Sequence, residues 1–404
     1  MVILPLSLLK YLYMINITTD KSAIAIVVVC YNRPAAAKRL LDSLNAAKYP
    51  IVDIPLIISV DCSNNQEMYD LANTFEWKHG PKYPVIHTER LGLKKHIYEC
   101  GDYTEKFKGV IILEDDLFVS EDFYNYTVSA VDAYYNEDKV AGIALYADTM
   151  NGYVGLPLYY WYDGSDAFMM QSAITSGECF TDRMWKPFRE WYNKHEDVDP
   201  EPYFMPRTIK NWRRAWSKYF NIYLVEKDLY FVHPHFSTTS NCGEAGEHGN
   251  DINMIHSRMI LGSKEWKFKS FKDSIKYDIY ANYIGLGKHL GINENDLCVD
   301  LYGDKRNEQK RRYWLSPYRL PYKVLDKYAL NLEPMEANVI YNVKGNDLFL
   351  YDTTIPVEVK STDKLTLHQF TYHFKNVDYR KVIRYIWLLV KRMTIIKLSR
   401  MFKK

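Results

Sequence analysis

Four short apolar runs set the frame for the first third of the chain. Residues 24–30 (IAIVVVC), 55–60 (PLIISV), 84–88 (PVIHT) and 109–113 (GVIIL) each lead into polar or turn-forming residues. Runs this continuous, rather than alternating apolar and polar, are what strands need when helices cover both faces of their sheet. The intervals carry helical spacing. Pro34 suits a first helical turn, and Leu40, Leu41 and Leu44 follow as a stripe. Ser63 or Asn64 is the expected cap of a second helix bearing Tyr69, Leu71 and Phe75, and LGLKKHIYECGDYTEKF (91–107) reads as a third. Strand–helix alternation at this spacing predicts an α/β fold with a doubly wound, mostly parallel sheet.

The rest of the 404 residues is less regular. Segments 122–137 and 182–195 read as helices, 139–146 and 222–232 as strands, and 237–250 (STTSNCGEAGEHGN) as a mobile loop rich in Gly, Ser and Asn. Residues 265–375 mix short aromatic strands with turns in no order the sequence reveals. The length favours two or three domains. The expected division is a lead-in over 1–21, a main domain over 22–264 split at 120/121, an accessory region over 265–378, and a terminal helix over 379–404.

Charge narrows the partners. Lys and Arg number 52 against 50 Asp and Glu, a net charge of +2, so no overall basic field exists for nucleic acid. The exception is local. Residues 379–404 carry nine basic residues and no acidic one, with Val382, Ile386, Leu389, Met393 and Ile396 recurring near helical spacing. A helix apolar on one side and only basic on the other fits the surface of an anionic membrane better than its own domain. The apolar N-terminal stretch is broken at Lys10, too short to span a bilayer, and lacks the flanks of a signal peptide. Six widely spaced cysteines with no CxxC argue against structural zinc and fit free thiols in a reducing compartment. Together these features predict a cytoplasmic protein peripheral to the inner face of the cytoplasmic membrane.

Chemistry is expected where the strands end. In an open parallel sheet, ligands bind beyond the carboxyl ends of the strands. Tyr31-Asn32-Arg33, Asp61-Cys62 and Glu114-Asp115-Asp116 each follow a strand there. No GxGxxG and no GxxxxGK[ST] follows the first strand, which argues against dinucleotide oxidoreductases and P-loop NTPases. Carboxylates at a strand end are hard oxygen ligands suited to Mg or Mn, and such an ion bridges a diphosphate.

The motifs VVVCYNR, ISVDCS and GVIILEDDLFVSEDFYNY resemble the nucleotide-sugar half of GT-A glycosyltransferases, notably the N-acetylglucosaminyltransferase I family and similar bacterial enzymes. The likeness spans about residues 22–260 and is sharpest over 109–126. It implies a nucleoside-diphosphate sugar donor, usually UDP-linked, and a divalent cation, usually Mn2+ (or Mg2+). It places Arg33 and Asp61 at the uracil, His96 near the nucleotide, Glu114 and Asp115 at ribose and sugar, and Asp116 on the metal, with Tyr31 beside Arg33 a further cofactor-binding candidate. His248, in SNCGEAGEHG, matches a histidine in a Gly-rich loop over the donor. With the basic terminal helix, it implies a glycan or lipid-linked acceptor in surface polysaccharide synthesis.

One departure bears on mechanism. Where the family places a catalytic aspartate, NWRRAWSKYF offers Asn211 and Arg213. The expected bases are then Glu178 in SGECFTDR, where relatives carry a Gly-rich turn, or Asp197, with Asp199 beside it. The missing aspartate keeps a retaining mechanism open. It also keeps open a catalytically dead sugar- or nucleotide-binding module. A nucleotidyltransferase on a similar sheet is the enzymatic rival. Lesser candidates are His233 and His235 as further metal ligands, Lys94 and Lys95 at the diphosphate, and Trp161, Trp185 and Trp212 as sugar platforms.

Overall fold

The computed structural model describes residues 17–213, 215–243, 257–306, 310–358, 367–374 and 378–401. They fall into two compact units: Met1–Gly285 with Asp304–Gln309, and Leu286–Gly303 with Lys310–Lys404.

The first unit is built on the expected alternation. Strands β1 (Asp20–Cys30), β2 (Leu56–Val60), β3 (Lys82–Ile86) and β4 (Phe107–Glu114) are separated by helices α1 (Pro34–Ala46), α2 (Gln66–Thr74) and α3 (Leu93–Gly101). Residues 24–28 of β1 and all of β2 are buried, as two-sided covering demands. Pro34 opens α1 as expected. The cap of α2 is Asn65, one residue beyond the expected pair: its side chain accepts from the Met68 amide, while Asn64 turns through a left-handed φ of 56° to place it there.

The chain continues with β5 (Leu117–Val119), α4 (Phe123–Tyr134), β6 (Val140–Ala144), the small hairpin β7 (Met150–Asn151)–β8 (Leu156–Pro157), β9 (Ala167–Met170) and β10 (Glu178–Thr181). Helices α5 (Asp182–Tyr192), α6 (Arg207–Lys210) and α7 (Trp216–Lys227) follow, then β11 (Tyr230–Pro234), β12 (Thr239–Asn241), β13 (Lys276–Tyr277) and β14 (Tyr283–Ile284). Ten strands form one sheet in the order β14-β13-β9-β11-β6-β10-β4-β1-β2-β3. Strands β3, β2, β1 and β4 run parallel, β10 runs against β4 and β6, and β11 is parallel to β6. The α/β architecture with a mostly parallel central sheet flanked by helices is thus present.

Two expectations need correction. Residues 222–227 are not strand but the end of α7, and the strand is confined to Tyr230–Pro234. IYLVEK is β-branched enough to read as strand, but Phe220, Ile222 and Leu224 are completely buried on a helix wedged among Phe180, Phe188 and Phe231. Tertiary packing overrides local propensity here. Likewise 237–250 is not loop throughout: Thr239–Asn241 pairs antiparallel with Leu117–Val119.

The second unit holds the region whose order the sequence hid. Strands β15 (Leu297–Val299), β16 (Tyr313–Ser316), β17 (Tyr322–Tyr328) and β18 (Leu348–Pro356) form a sheet in the order β15-β16-β18-β17. Cys298, Trp314, Phe349 and Tyr351 make its core. Helix α8 (Leu286–Leu290) precedes this sheet, α9 (Met335–Ile340) lies within it, and α10 (Leu367–Phe374) and α11 (Tyr379–Met401) follow. No helix of the described residues is long and apolar enough to cross a membrane. None of the six cysteines is in a disulfide.

Candidate functional site

The parallel register brings three strand ends to one edge. Cys30 of β1 lies opposite Val60 of β2, and Val29 lies opposite Glu114 of β4. The Asp61 amide then donates to the Cys30 carbonyl at 2.9 Å, and the Asp115 amide to the Val29 carbonyl at 3.1 Å. The segments beginning at Tyr31, Asp61 and Asp115 therefore leave the sheet side by side.

Their side chains interlock. The Arg33 guanidinium donates to Asp115 and, at 3.1 Å, to Asp116 Oδ2. It is about a quarter exposed (26%), while Asp115 is 4% and Asp116 17% exposed. Burial raises the Asp115 carboxyl above the usual carboxylate range, and the Arg33 guanidinium only partly offsets that rise. Asp61, 3% exposed, accepts the Cys62 and Leu91 amides at 2.8 and 2.7 Å on Oδ1 and the Gly92 amide at 3.0 Å on Oδ2. Gly92 sits at φ +73°, a left-handed turn that opens α3. Asp61 thereby pins the 90–92 turn. That turn carries Arg90, whose guanidinium lies 3.9 Å from the Tyr31 ring centroid and donates to the Tyr31 hydroxyl. The result is a partly exposed aromatic–cation pair beside a charged bridge.

The other expected site residues are more scattered. His96 is 2% exposed, with Nε2 2.7 Å from Ser59 Oγ and its pKa lowered to about 3 by burial. It is a neutral ring beneath the edge. Glu114 follows the buried run of β4, and burial together with Asp116 and Asp115 raises its carboxyl to about 8. Glu178 does not lie in a turn: it begins β10, is 2% exposed, and is held far above the usual carboxylate range by burial and by Glu114. One of its oxygens, Oε2, has no hydrogen-bond partner. Asp197 and Asp199 stand exposed after α5, and Asn211 is exposed after α6. Lys94 lies over the Tyr219 and Tyr192 rings, and Lys95 pairs with Glu99 at 3.7 Å. Trp185 is a core residue at 1% exposure, Trp212 packs against the core, and Trp161 is half-buried.

The metal candidates resolve in part. His233 is buried and bonded to the Ser172 carbonyl at 2.9 Å, and no group of three or more His, Cys, Asp or Glu is arranged to hold an ion among the described residues. Asp116, 17% exposed, offers a carboxylate at the edge. One carboxylate suits an ion that takes its remaining ligands from water and phosphate oxygens, not a self-sufficient metal centre. The β5–β12 ladder completes this corner: the Cys242 amide donates to the Asp116 carbonyl at 2.9 Å, so Cys242 sits beside the acidic triplet. His248 lies outside the described residues.

Sequence reasoning missed Arg90 and Asp148. Arg90 follows the third strand and precedes Leu91-Gly92, a turn signal that marks it in hindsight. Asp148 follows β6 after Leu145-Tyr146-Ala147 with no motif around it, and burial raises its carboxyl to about 7.

No family model matches the chain, and no curated protein matches it. Among solved structures, the chain is similar to S. aureus TarS residues 1–349 in complex with UDP-GlcNAc, at 12% identity and a TM-score of 0.38, over 56% of this chain and 60% of that one. It is also similar to the mannosyltransferase PcManGT of Pyrobaculum calidifontis in complex with GDP-Man and Mn2+, at 13% identity and a TM-score of 0.30, over 44% of this chain and 47% of that one. A third likeness is to the galactosyltransferase LgtC with donor and acceptor sugar analogues, at 13% identity and a TM-score of 0.29, over 52% and 73%. The chain thus spans less than two thirds of the TarS fragment's length. Likenesses at these TM-scores carry no argument about what this chain does.

Proposed function

We propose that the protein is a GT-A-type glycosyltransferase that moves a sugar from a UDP-linked donor to a glycan or lipid-linked acceptor. The observation that carries the reading is the convergence of Tyr31, Arg33, Asp61, Arg90, Asp115 and Asp116 at the carboxyl edge of β1, β2 and β4. The Tyr31–Arg90 pair offers a flat face for a nucleobase. Arg33 and Asp116 offer the two kinds of group a cation-bridged diphosphate needs, a donor for its oxygens and a carboxylate for Mn2+ or Mg2+. Such a cation would neutralise the departing UDP. Residues 22–120 form the donor half in this reading and 121–264 the acceptor half.

Helix α11 supports a membrane setting. Its described side chains from Ile383 to Ile395 are exposed, including Ile383, Ile386, Trp387, Leu389 and Val390. A helix that presents these to water beside an unbroken basic series is suited to an anionic lipid surface, which agrees with a lipid-linked acceptor and a place on the inner face of the cytoplasmic membrane.

Calorimetric titration of UDP, with and without Mn2+, on wild type and Asp116→Ala tests the reading. Metal-enhanced binding in wild type, with the enhancement lost in the variant, is expected. No UDP binding to wild type contradicts the UDP assignment. Binding with no turnover of any UDP-sugar supports the binding-module alternative.

A further inference from the structure

We infer that Asp148 is the catalytic base, the group that takes the proton from the attacking acceptor hydroxyl. The inference rests on the glycosyltransferase reading above and fills the place that Asn211 and Arg213 leave empty. Strand β6 is antiparallel to β10, which is antiparallel to β4, so β6 points the same way as β4. It ends at Ala144, and Asp148 therefore emerges at the same edge as the acidic triplet.

The segment carrying Asp148 is fastened to the walls of the candidate site. The Leu145 amide donates to the Gly177 carbonyl at 2.9 Å, and the Leu145 carbonyl accepts from the Thr238 and Thr239 amides at 2.8 and 3.2 Å. The Ala147 amide donates to Ser237 Oγ at 2.7 Å. Thr239 in turn pairs with Val119 on the ladder that starts beside Asp116. A single run of paired backbone links the two carboxylates' segments, and rigid fastening of this kind is what a general base requires.

Its surroundings suit the role. Asp61, Asp115 and Asp116 are all occupied by hydrogen bonds, whereas no described residue donates to or pairs with Asp148. Tyr146 and Tyr153 are the titratable groups beside it, Asp304 also acts on Tyr153, and no cation among the described residues acts on Asp148. Burial alone lifts its carboxyl to about 7, where proton acceptance at neutral pH is most effective. The rival bases lack this combination: Glu178 is sealed in the sheet, and Asp197 is exposed on a turn.

The step balances. The acceptor O–H proton passes to the Asp148 carboxylate, and the freed oxygen pair forms the bond to the anomeric carbon. The bond from that carbon to the diphosphate oxygen breaks, and its electron pair leaves on UDP.

The test uses the full chain and its Asp148→Asn, Glu178→Gln and Asp197→Asn variants. UDP release is followed with Mn2+ and UDP-GlcNAc, UDP-glucose or UDP-galactose, against monosaccharides and water as acceptors, and UDP affinity is measured in parallel. Asp148→Asn should bind UDP within twofold of wild type and lose about 100- to 10,000-fold in kcat. Because the base must be deprotonated, wild-type kcat/KM should fall as pH drops below about 7, and the variant should lose that limb. A variant that keeps its rate within threefold and retains the limb overturns the assignment, as does a loss confined to Glu178→Gln or Asp197→Asn. Failure of wild type to bind UDP instead overturns the reading on which the assignment stands.

Discussion

The two halves of the sheet edge use carboxylates in opposite ways. On the β1–β2–β4 side every edge aspartate is already engaged: Asp61 by three backbone amides, Asp115 and Asp116 by Arg33. On the β6 side Asp148 has no partner among the described residues and lies near Tyr146 and Tyr153. Engaged carboxylates hold geometry, which is what a nucleotide-binding edge would need. An unengaged, recessed carboxylate hovers near neutrality, which is what proton transfer needs. The difference in partners separates holding from reacting.

That contrast can be broken from the donor side first. Arg33→Ala leaves the 4%-exposed Asp115 carboxylate without its cation. Breaking a pair of this kind costs about 2 kcal/mol, reduced from the fully buried case because Arg33 is a quarter exposed. UDP affinity should fall about 10- to 100-fold, of the order expected for a lost charge-assisted bond to phosphate. Chemical denaturation and UDP titration on one preparation measure both.

A smaller effect is expected at Asp61. Asp61→Asn keeps the shape but weakens acceptance from the Leu91 and Gly92 amides. A loss of about 1–2 kcal/mol in stability and a weaker nucleobase contact through Arg90 should follow. Uridine and UDP should lose affinity by the same factor, since the phosphates lie with Arg33; a loss confined to UDP would contradict that division of labour.

At α11 the change should leave the nucleotide edge untouched. Lys391→Glu with Arg392→Glu should lower partitioning onto phosphatidylserine-containing vesicles by a few tens of fold or more, at about 1 kcal/mol per basic residue near the surface. Affinity for UDP should not move. Equal vesicle binding by variant and wild type would remove the membrane role.

Residues 22–120 were legible in the sequence and the rest much less so, for physical reasons. Strands covered on both faces must be apolar throughout, so IAIVVVC and GVIIL announce themselves and the polar residues after them mark the edge. Residues 222–227 carry the same residue types, but only contacts with Phe180 and Phe231 from distant strands decide for helix. Glu178 reads as an acid of a Gly-rich turn, yet its pairing with β4 and β6 draws it into the sheet. Asp148 carries no motif, and burial, which only the folded chain supplies, raises its carboxyl. The four strands of the second unit alternate irregularly and include the bulges between Tyr322 and Lys323 and between Val324 and Asp326, which blur a period-two pattern.

The central claim is that the carboxyl edge of β1, β2 and β4 is a cation-dependent UDP site. The most direct test is a crystal of the protein grown with UDP and Mn2+, with diffraction recorded at a wavelength where manganese scatters anomalously. The account predicts a manganese peak at the Asp116 carboxylate, with the uracil against Tyr31 and Arg90. A nucleotide bound elsewhere, or UDP at this edge with manganese on other residues, would contradict it.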